Sequence, residues 1–218
     1  MKEVAKKLPQ YEFQFVPTSD DDLLIGVESG KYDIGTKGAW KTPAREKKYI
    51  FPKNNIAASV IGVTIRKEDA NTIKNLDDFA KADKKLVPIA PQNAQYQVIE
   101  DYNAAHPDHP VKLEASENFQ VADAYTWVLE GRYDGYFSIE LAYKKNVEAP
   151  DAPYKDFKDK LSYFRYKAIP TYTVINKNDK ELAEQVDKAL GELKQEGKIA
   201  ELENKYFGEE VSKLIDVK

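Results

Sequence analysis

Cysteine is absent from this 218-residue chain, methionine occurs once, and histidine and tryptophan twice each. Without cysteine there is no thiol nucleophile, no thiolate metal ligand and no disulfide, and redox chemistry leaves the compartment open. A chain of this size buries a core without such staples. No sign of charge dominates either: 33 basic residues face 37 acidic ones, for a net charge of −4, and the lysines are scattered. Such a balance projects no strong field toward nucleic acid or an anionic membrane. Long apolar runs are missing too. The longest, IAASVIGVTI at 56–65, is too short to cross a bilayer, and its β-branched residues read as buried strand. No Gly-x-Ser-x-Gly, P-loop or Gly-x-Gly-x-x-Gly occurs, and no nucleophile stands beside a base, which leaves an enzymatic reading little material. No signal-peptide pattern opens the chain.

Two smaller features are also set aside. His106 and His109 stand in HPDHP, where proline prevents the helix that would align them on a metal. Asp20, Asp21 and Asp22 lack the glycine and terminal glutamate of a calcium loop and read as a solvated helix start.

What the chain does have is alternation. A short helix at 1–8 precedes a predicted strand, YEFQFV, at 11–16, and Ser19 or Asp20 caps a helix that Gly30 stops. Further strands are predicted near 32–36, 56–66, 85–90, 111–114, 134–138, 161–166 and 171–176, with Pro170 breaking the last two apart. Helices are predicted near 75–82, 94–105, 119–130, 139–145 and 179–205, the last broken at Gly197 into a hairpin packed on the first lobe. This order argues for parallel sheets covered by helices.

One αβ joint is written twice. VESGKYDIG at 27–35 matches VLEGRYDGY at 128–136: a helix ends at Gly, a basic residue and Tyr-Asp follow, and a strand begins. Two joints predict two lobes, with ligand just past each strand, at 36–40 and 138–140. NNIAASVIGVTIRK and KAIPTYTVINK are the two expected crossings between lobes.

Four places then carry candidate chemistry. Thr42 and Pro43 start a helix that puts Arg45 in its first turn, where a cation opposes the helix dipole; it meets either a ligand carboxylate or a nearby side chain such as Glu46. Trp40, after Gly38 and Ala39, is either a ligand wall or core. Gln92, Asn93 and Ala94 open a helix and offer amide N–H groups, or only an ordinary Asn cap. Ser138, Ile139 and Glu140 end the second joint's strand; Glu140 either binds a cation or begins the next helix.

Together, SGKYDIGTKGAWKTPAREKKYIFP, EGRYDGYFSIELAYKK and ELKQEGKIAELENKYFG resemble the extracellular solute-binding proteins of amino-acid ABC transporters, and the resemblance spans essentially the whole chain. It implies an α/β, two-lobed type II periplasmic-binding-protein-like fold, each lobe a sheet flanked by helices, with lobe I at 1–57 and 173–218 and lobe II at 58–172. The family's carboxylate-gripping arginine falls on Arg45, its loop backbone on Gly38 to Trp40, and its second-lobe helix start on Gln92, Asn93 and Ala94. Its ammonium-binding aspartate falls on Ile139, so either Glu140 substitutes or the ligand is not a plain α-amino acid. The match begins inside the family's first helix, so lobe I is expected to lack a strand, with a monomer or a strand-swapped dimer as the result. The implied role is hinge-closing, extracytoplasmic, lipid-anchored capture of a small polar amino acid for a membrane permease, without cofactor, metal, nucleic acid or catalysis. A sensor or adhesion module with a degenerate pocket, and a dehydratase-type enzyme using Glu140, are the alternatives.

Overall fold

The computed structural model describes residues 1–91, 93–116 and 121–215. The chain divides into two compact units, Met1–Ser59 with Ala168–Lys218, and Val60–Lys167. Each boundary falls inside a strand that the sequence marks as a crossing: β3 (Ala57–Arg66) and β5 (Leu161–Asn176).

Unit 1 begins with α1 (Lys2–Lys7) and α2 (Asp20–Ser29). The Ser19 hydroxyl accepts the Asp22 amide, which caps α2, and Gly30 ends it in the left-handed conformation at φ 79°. β1 (Ile34–Trp40) and the two-residue β2 (Tyr49–Ile50) flank α3 (Pro43–Lys48), and both strands pair antiparallel with the C-terminal half of β5. α8 (Lys180–Gln195) and α9 (Lys198–Phe207) close the unit, with Gly197 at φ 73° making the break between them. Their apolar faces meet Val4, Leu8 and Ile175 in one core cluster, while Val27, Ala39, Tyr49 and Val174 form a second beneath α2.

Unit 2 contains β3 paired antiparallel with β4 (Gly135–Ile139), and helices α4 (Leu76–Lys81), α5 (Ala94–Ala105), α6 (Val121–Leu129) and α7 (Glu140–Tyr143), which runs on into a π-helical turn. Its core is aromatic: Tyr125, Tyr133 and Tyr143 pack with Val87, Val128, Val147 and Leu161. The β3 and β5 backbones approach so closely at Gly62 that a Cβ there would fall 1.9 Å from the Phe164 carbonyl oxygen.

Three sequence expectations are corrected. YEFQFV takes no regular secondary structure and forms no ladder among the described residues; Phe13 packs on the core while Phe15 and Val16 remain exposed. Alternation supplied the pattern, but a strand also needs a partner for its backbone groups. Pro170 does not break β5, which runs through 161–176 without interruption. The β1 pairing ends at Trp40 opposite Thr171, so the missing proline N–H removes no bond to β1. Finally, every multi-residue ladder among the described residues is antiparallel, and parallel pairing survives only as single bridges at Lys85, Leu86 and Ile89. β5 is a return strand, so it meets its unit 1 partners head to tail, and the predicted strands near 85–90 and 111–114 supply only those bridges.

Candidate functional site

The unit 1 candidates, Gly38 to Arg45, occupy one continuous turn. β1 and β5 change register between Gly35 and Ala39, four residues on β1 spanning two on β5, from Gly35 opposite Val174 to Ala39 opposite Tyr172. Gly38 lies in this bulge at φ 71°, a conformation that strains any residue with a Cβ. The bulge swings the backbone out, and the chain rejoins β5 at Ala39 and Trp40, both buried. Trp40 is therefore part of the core, as one of its two sequence readings held.

α3 begins immediately afterwards. Thr42 is extended, its hydroxyl accepts the Arg45 amide at 3.3 Å, and Pro43 occupies the first helical position. Arg45 is half-buried and turns its guanidinium back over the cap, where Nη1 donates to the Trp40 carbonyl at 3.0 Å. Among the described residues no carboxylate lies within 4.0 Å of it. The carboxylate that would have explained it as a surface salt bridge, Glu46, pairs instead with Lys41 at 3.0 Å. Arg45 thus keeps most of its donors for something else. Beneath it, Tyr49 is buried and donates its hydroxyl to the Leu24 carbonyl; burial pushes its phenol pKa up, and neighbouring Lys48 and Arg45 pull it back.

The unit 2 candidates are reached by other elements. Gln92 lies outside the described residues. Asn93 is the cap of α5, its side-chain oxygen accepting the Gln95 amide at 3.0 Å, and Ala94 is the first residue of the helix. Ser138 is 2% exposed, opposite Gly62 in the β3–β4 ladder, and its carbonyl accepts the Tyr163 hydroxyl at 2.9 Å. Its own hydroxyl, with those of Tyr125 and Thr64, is buried without a hydrogen-bond partner among the described residues. Ile139 precedes α7 as an uncapped N-terminal residue, so its side chain makes no cap. Glu140 is gripped by Arg165, Nε on one oxygen and Nη2 on the other, each at 2.9 Å, with Lys144 3.5 Å away.

Sequence reasoning missed Arg165, which lies 25 residues from Glu140 on a different element. It also missed the cluster below the second joint, where Asp134 accepts Arg66 Nη2 at 2.9 Å, the Lys85 amide at 2.9 Å and Lys84 at 3.3 Å. In principle the strand pattern LSYFRYK flags Arg165 as a cation set between aromatics, Phe164 and Tyr166. His106 donates from Nδ1 to the Tyr102 carbonyl at 2.8 Å and stacks on the Tyr102 ring at 4.2 Å.

The sequence model of the bacterial extracellular solute-binding proteins, family 3, matches residues 1–209. The L-cystine-binding protein TcyJ of Bacillus subtilis (strain 168) is 28% identical over 220 residues, covering 98% of this chain and 75% of TcyJ. TcyA of the same organism, another L-cystine-binding protein, is 28% identical over 211 residues, 97% of this chain and 71% of its own length. Among solved structures, the probable amino-acid ABC transporter extracellular-binding protein ytmK from Bacillus subtilis superposes with a TM-score of 0.76 at 24% identity, covering 95% of this chain and 84% of that one. An ancestral arginine-binding protein bound to glutamine superposes at 0.64 with 25% identity, covering 95% and 85%. The two-lobed solute-binding fold expected from the sequence is therefore shown.

Proposed function

The chain belongs to the bacterial extracellular solute-binding proteins, family 3, and from that premise we propose that it is the substrate-binding component of an amino-acid-type ABC importer. It takes up a small polar amino acid or a derivative outside the cytoplasm, hands it to a membrane permease, and catalyses nothing; a lipid anchor holds it at the membrane. L-cystine, the ligand named for TcyJ and TcyA, is the first candidate, followed by L-arginine and L-glutamine, both named for the ancestral arginine-binding protein bound to glutamine.

One observation carries this reading. Arg45 is a half-buried guanidinium engaged by a single neutral carbonyl, with the carboxylate beside it already claimed by Lys41. A guanidinium fork is complementary to a carboxylate and gains most when both hydrogen bonds form. Gly38, Ala39, Trp40 and Thr42 support it by shaping the turn, and Asn93, Ala94, Ser138 and Ile139 are the proposed unit 2 contacts. Calorimetric titration with L-cystine, L-arginine and L-glutamine tests the assignment. Arg45→Ala should weaken the wild-type ligand by about 100-fold, the loss of one charge-assisted bidentate pair, with the fold intact. Unchanged affinity refutes the carboxylate role.

A second reading rests on Glu140. With its carboxylate held by Arg165, and Ile139 beside it, unit 2 presents, among the described residues, no free anion at the position where the resemblance expects an ammonium partner. This favours a ligand without a free ammonium, or a sensor or adhesion module with a degenerate pocket. A thermal-shift screen over amino acids, N-acylated derivatives and small peptides separates them: a working receptor is stabilised by at least one, a degenerate one by none.

A further inference from the structure

The arginine-bearing helix is too short to hold itself. α3 has six residues, none of them buried, and nucleating a helix costs more than one or two turns return. Its N-terminal end is closed by Thr42 and Pro43, as the sequence forecasts. Its C-terminal end is not closed from within. The Tyr49 amide satisfies the Arg45 carbonyl, but the Glu46 carbonyl is among those a helix leaves without an internal partner.

That carbonyl is taken by a lysine 131 residues away. Lys177 Nζ donates to the Glu46 carbonyl at 2.6 Å and to the Tyr49 carbonyl at 3.3 Å. Among the described residues no carboxylate lies within 4.0 Å of this ammonium, so its charge is directed at the end of the helix, where the dipole favours a cation. The lysine is itself firmly based. It follows Asn176, which is 4% exposed, pairs with Tyr49 in the β2–β5 ladder and donates through Nδ2 to the Val27 carbonyl at 2.6 Å. The end of β5 thus reaches the two carbonyls that close the Arg45 turn.

We infer that Lys177 is a positioning residue for ligand capture: by capping the C-terminal end of α3 it holds Arg45 in the orientation that receives a carboxylate. This inference rests on the reading of Arg45 given above, and the experiment separates the two. Lys177→Met keeps the aliphatic stem and removes the charge; Lys177→Arg keeps a donor and the charge. Amide hydrogen exchange of residues 46–49, followed without ligand, should run about tenfold faster in Lys177→Met, as expected for loss of one charge-assisted hydrogen bond, and return toward the wild-type rate in Lys177→Arg. The denaturation midpoint of the whole protein should barely move. With L-cystine as probe, or L-arginine where wild type binds that instead, affinity should fall about tenfold in Lys177→Met and recover in Lys177→Arg. Unaltered exchange at 46–49 in Lys177→Met overturns the cap, whatever the ligand. If Arg45→Ala abolishes binding while Lys177→Met leaves affinity unchanged, the positioning role fails alone. If Arg45→Ala leaves affinity unchanged, the carboxylate reading fails and the positioning role with it.

Discussion

The two αβ joints use the same backbone and anchor it differently. In both, the glycine after the helix is left-handed, Gly30 at φ 79° and Gly131 at φ 74°. In both its amide returns three residues, to Val27 at 3.3 Å and to Val128 at 3.2 Å, and the tyrosine amide returns six, to Gly26 at 3.0 Å and to Trp127 at 3.3 Å. Both valines are fully buried. Even the basic residue behaves alike: Lys31 lies over the Tyr32 ring and Arg132 over the Tyr133 ring, at 5.2 and 5.8 Å. The aspartates part company. Asp33 is exposed, and its carbonyl accepts the Asn176 amide; Asp134 turns its carboxylate into a cluster with Arg66, Lys84 and the Lys85 amide. A repeated sequence therefore specifies a repeated turn, while the surroundings decide what the turn is fastened to.

Breaking the fastening should have the largest effect. Asp134→Ala is expected to cost about 2–3 kcal/mol at neutral pH, because it removes the acceptor of the Lys85 amide and a carboxylate shared by Arg66 and Lys84, although Arg66 keeps Asp69 and the Val128 and Tyr133 carbonyls; Asp33→Ala should cost under about 0.5 kcal/mol, as surface changes do. Urea denaturation of both variants measures the contrast, and equal losses would erase it. The Asp134 carboxyl has its pKa lowered: burial works to raise it, but the Lys85 amide, Arg66 and Lys84 together outweigh that. A depressed folded-state pKa contributes stability that is present above the unfolded value, near about 3.9, and is lost as pH falls through the folded one. The gap between wild type and Asp134→Ala should therefore be full at pH 7 and close below about pH 4.

A change to the shared turn should affect the two units alike. Gly30→Ala and Gly131→Ala each force a side chain into the left-handed region, at about 1–2 kcal/mol. Neither would meet a close neighbour among the described residues, where nothing lies within 4 Å of a Cβ at 131 and only the Asn176 side-chain Nδ2, at 3.6 Å, at 30. Thermal midpoints that drop by different amounts in the two variants would show that the turns are not equivalent. The smallest effect belongs to the cations over the rings. Lys31→Ala and Arg132→Ala should each lose about 0.5–1 kcal/mol, with Arg132 the larger because it also lies 4.8 Å from the Trp127 ring; a double-mutant cycle with each aromatic partner resolves it.

The same division between local device and distant fastening explains what could be read in advance. Ser19, Thr42 and Asn93 each cap a helix by accepting an amide two or three residues on, and Gly30, Gly131 and Gly197 turn the chain within one residue. Such signals are written where they act. The 11–16 segment carried an equally clear local signal and makes no ladder among the described residues, because pairing depends on a partner that alternation does not name. At the candidate site, Arg45 was legible as a cation at the wrong end of a helix. Its bond to the Trp40 carbonyl, the diversion of Glu46 to Lys41, the hold of Arg165 on Glu140 and the reach of Lys177 to α3 were not.

By itself the sequence determined the helix ends, the repeated turn and the placing of an arginine after a capped Thr-Pro, since each depends on dihedral preferences or hydrogen bonds spanning a few residues. Only the tertiary structure decided the antiparallel pairing of β5, the passage of Pro170, the burial of Trp40 and the partners of Arg45, Glu140 and Lys177. Those outcomes depend on which surfaces the fold brings together, and a charge takes whichever partner the packed backbone brings within reach, 25 residues away for Glu140 and 131 for Lys177.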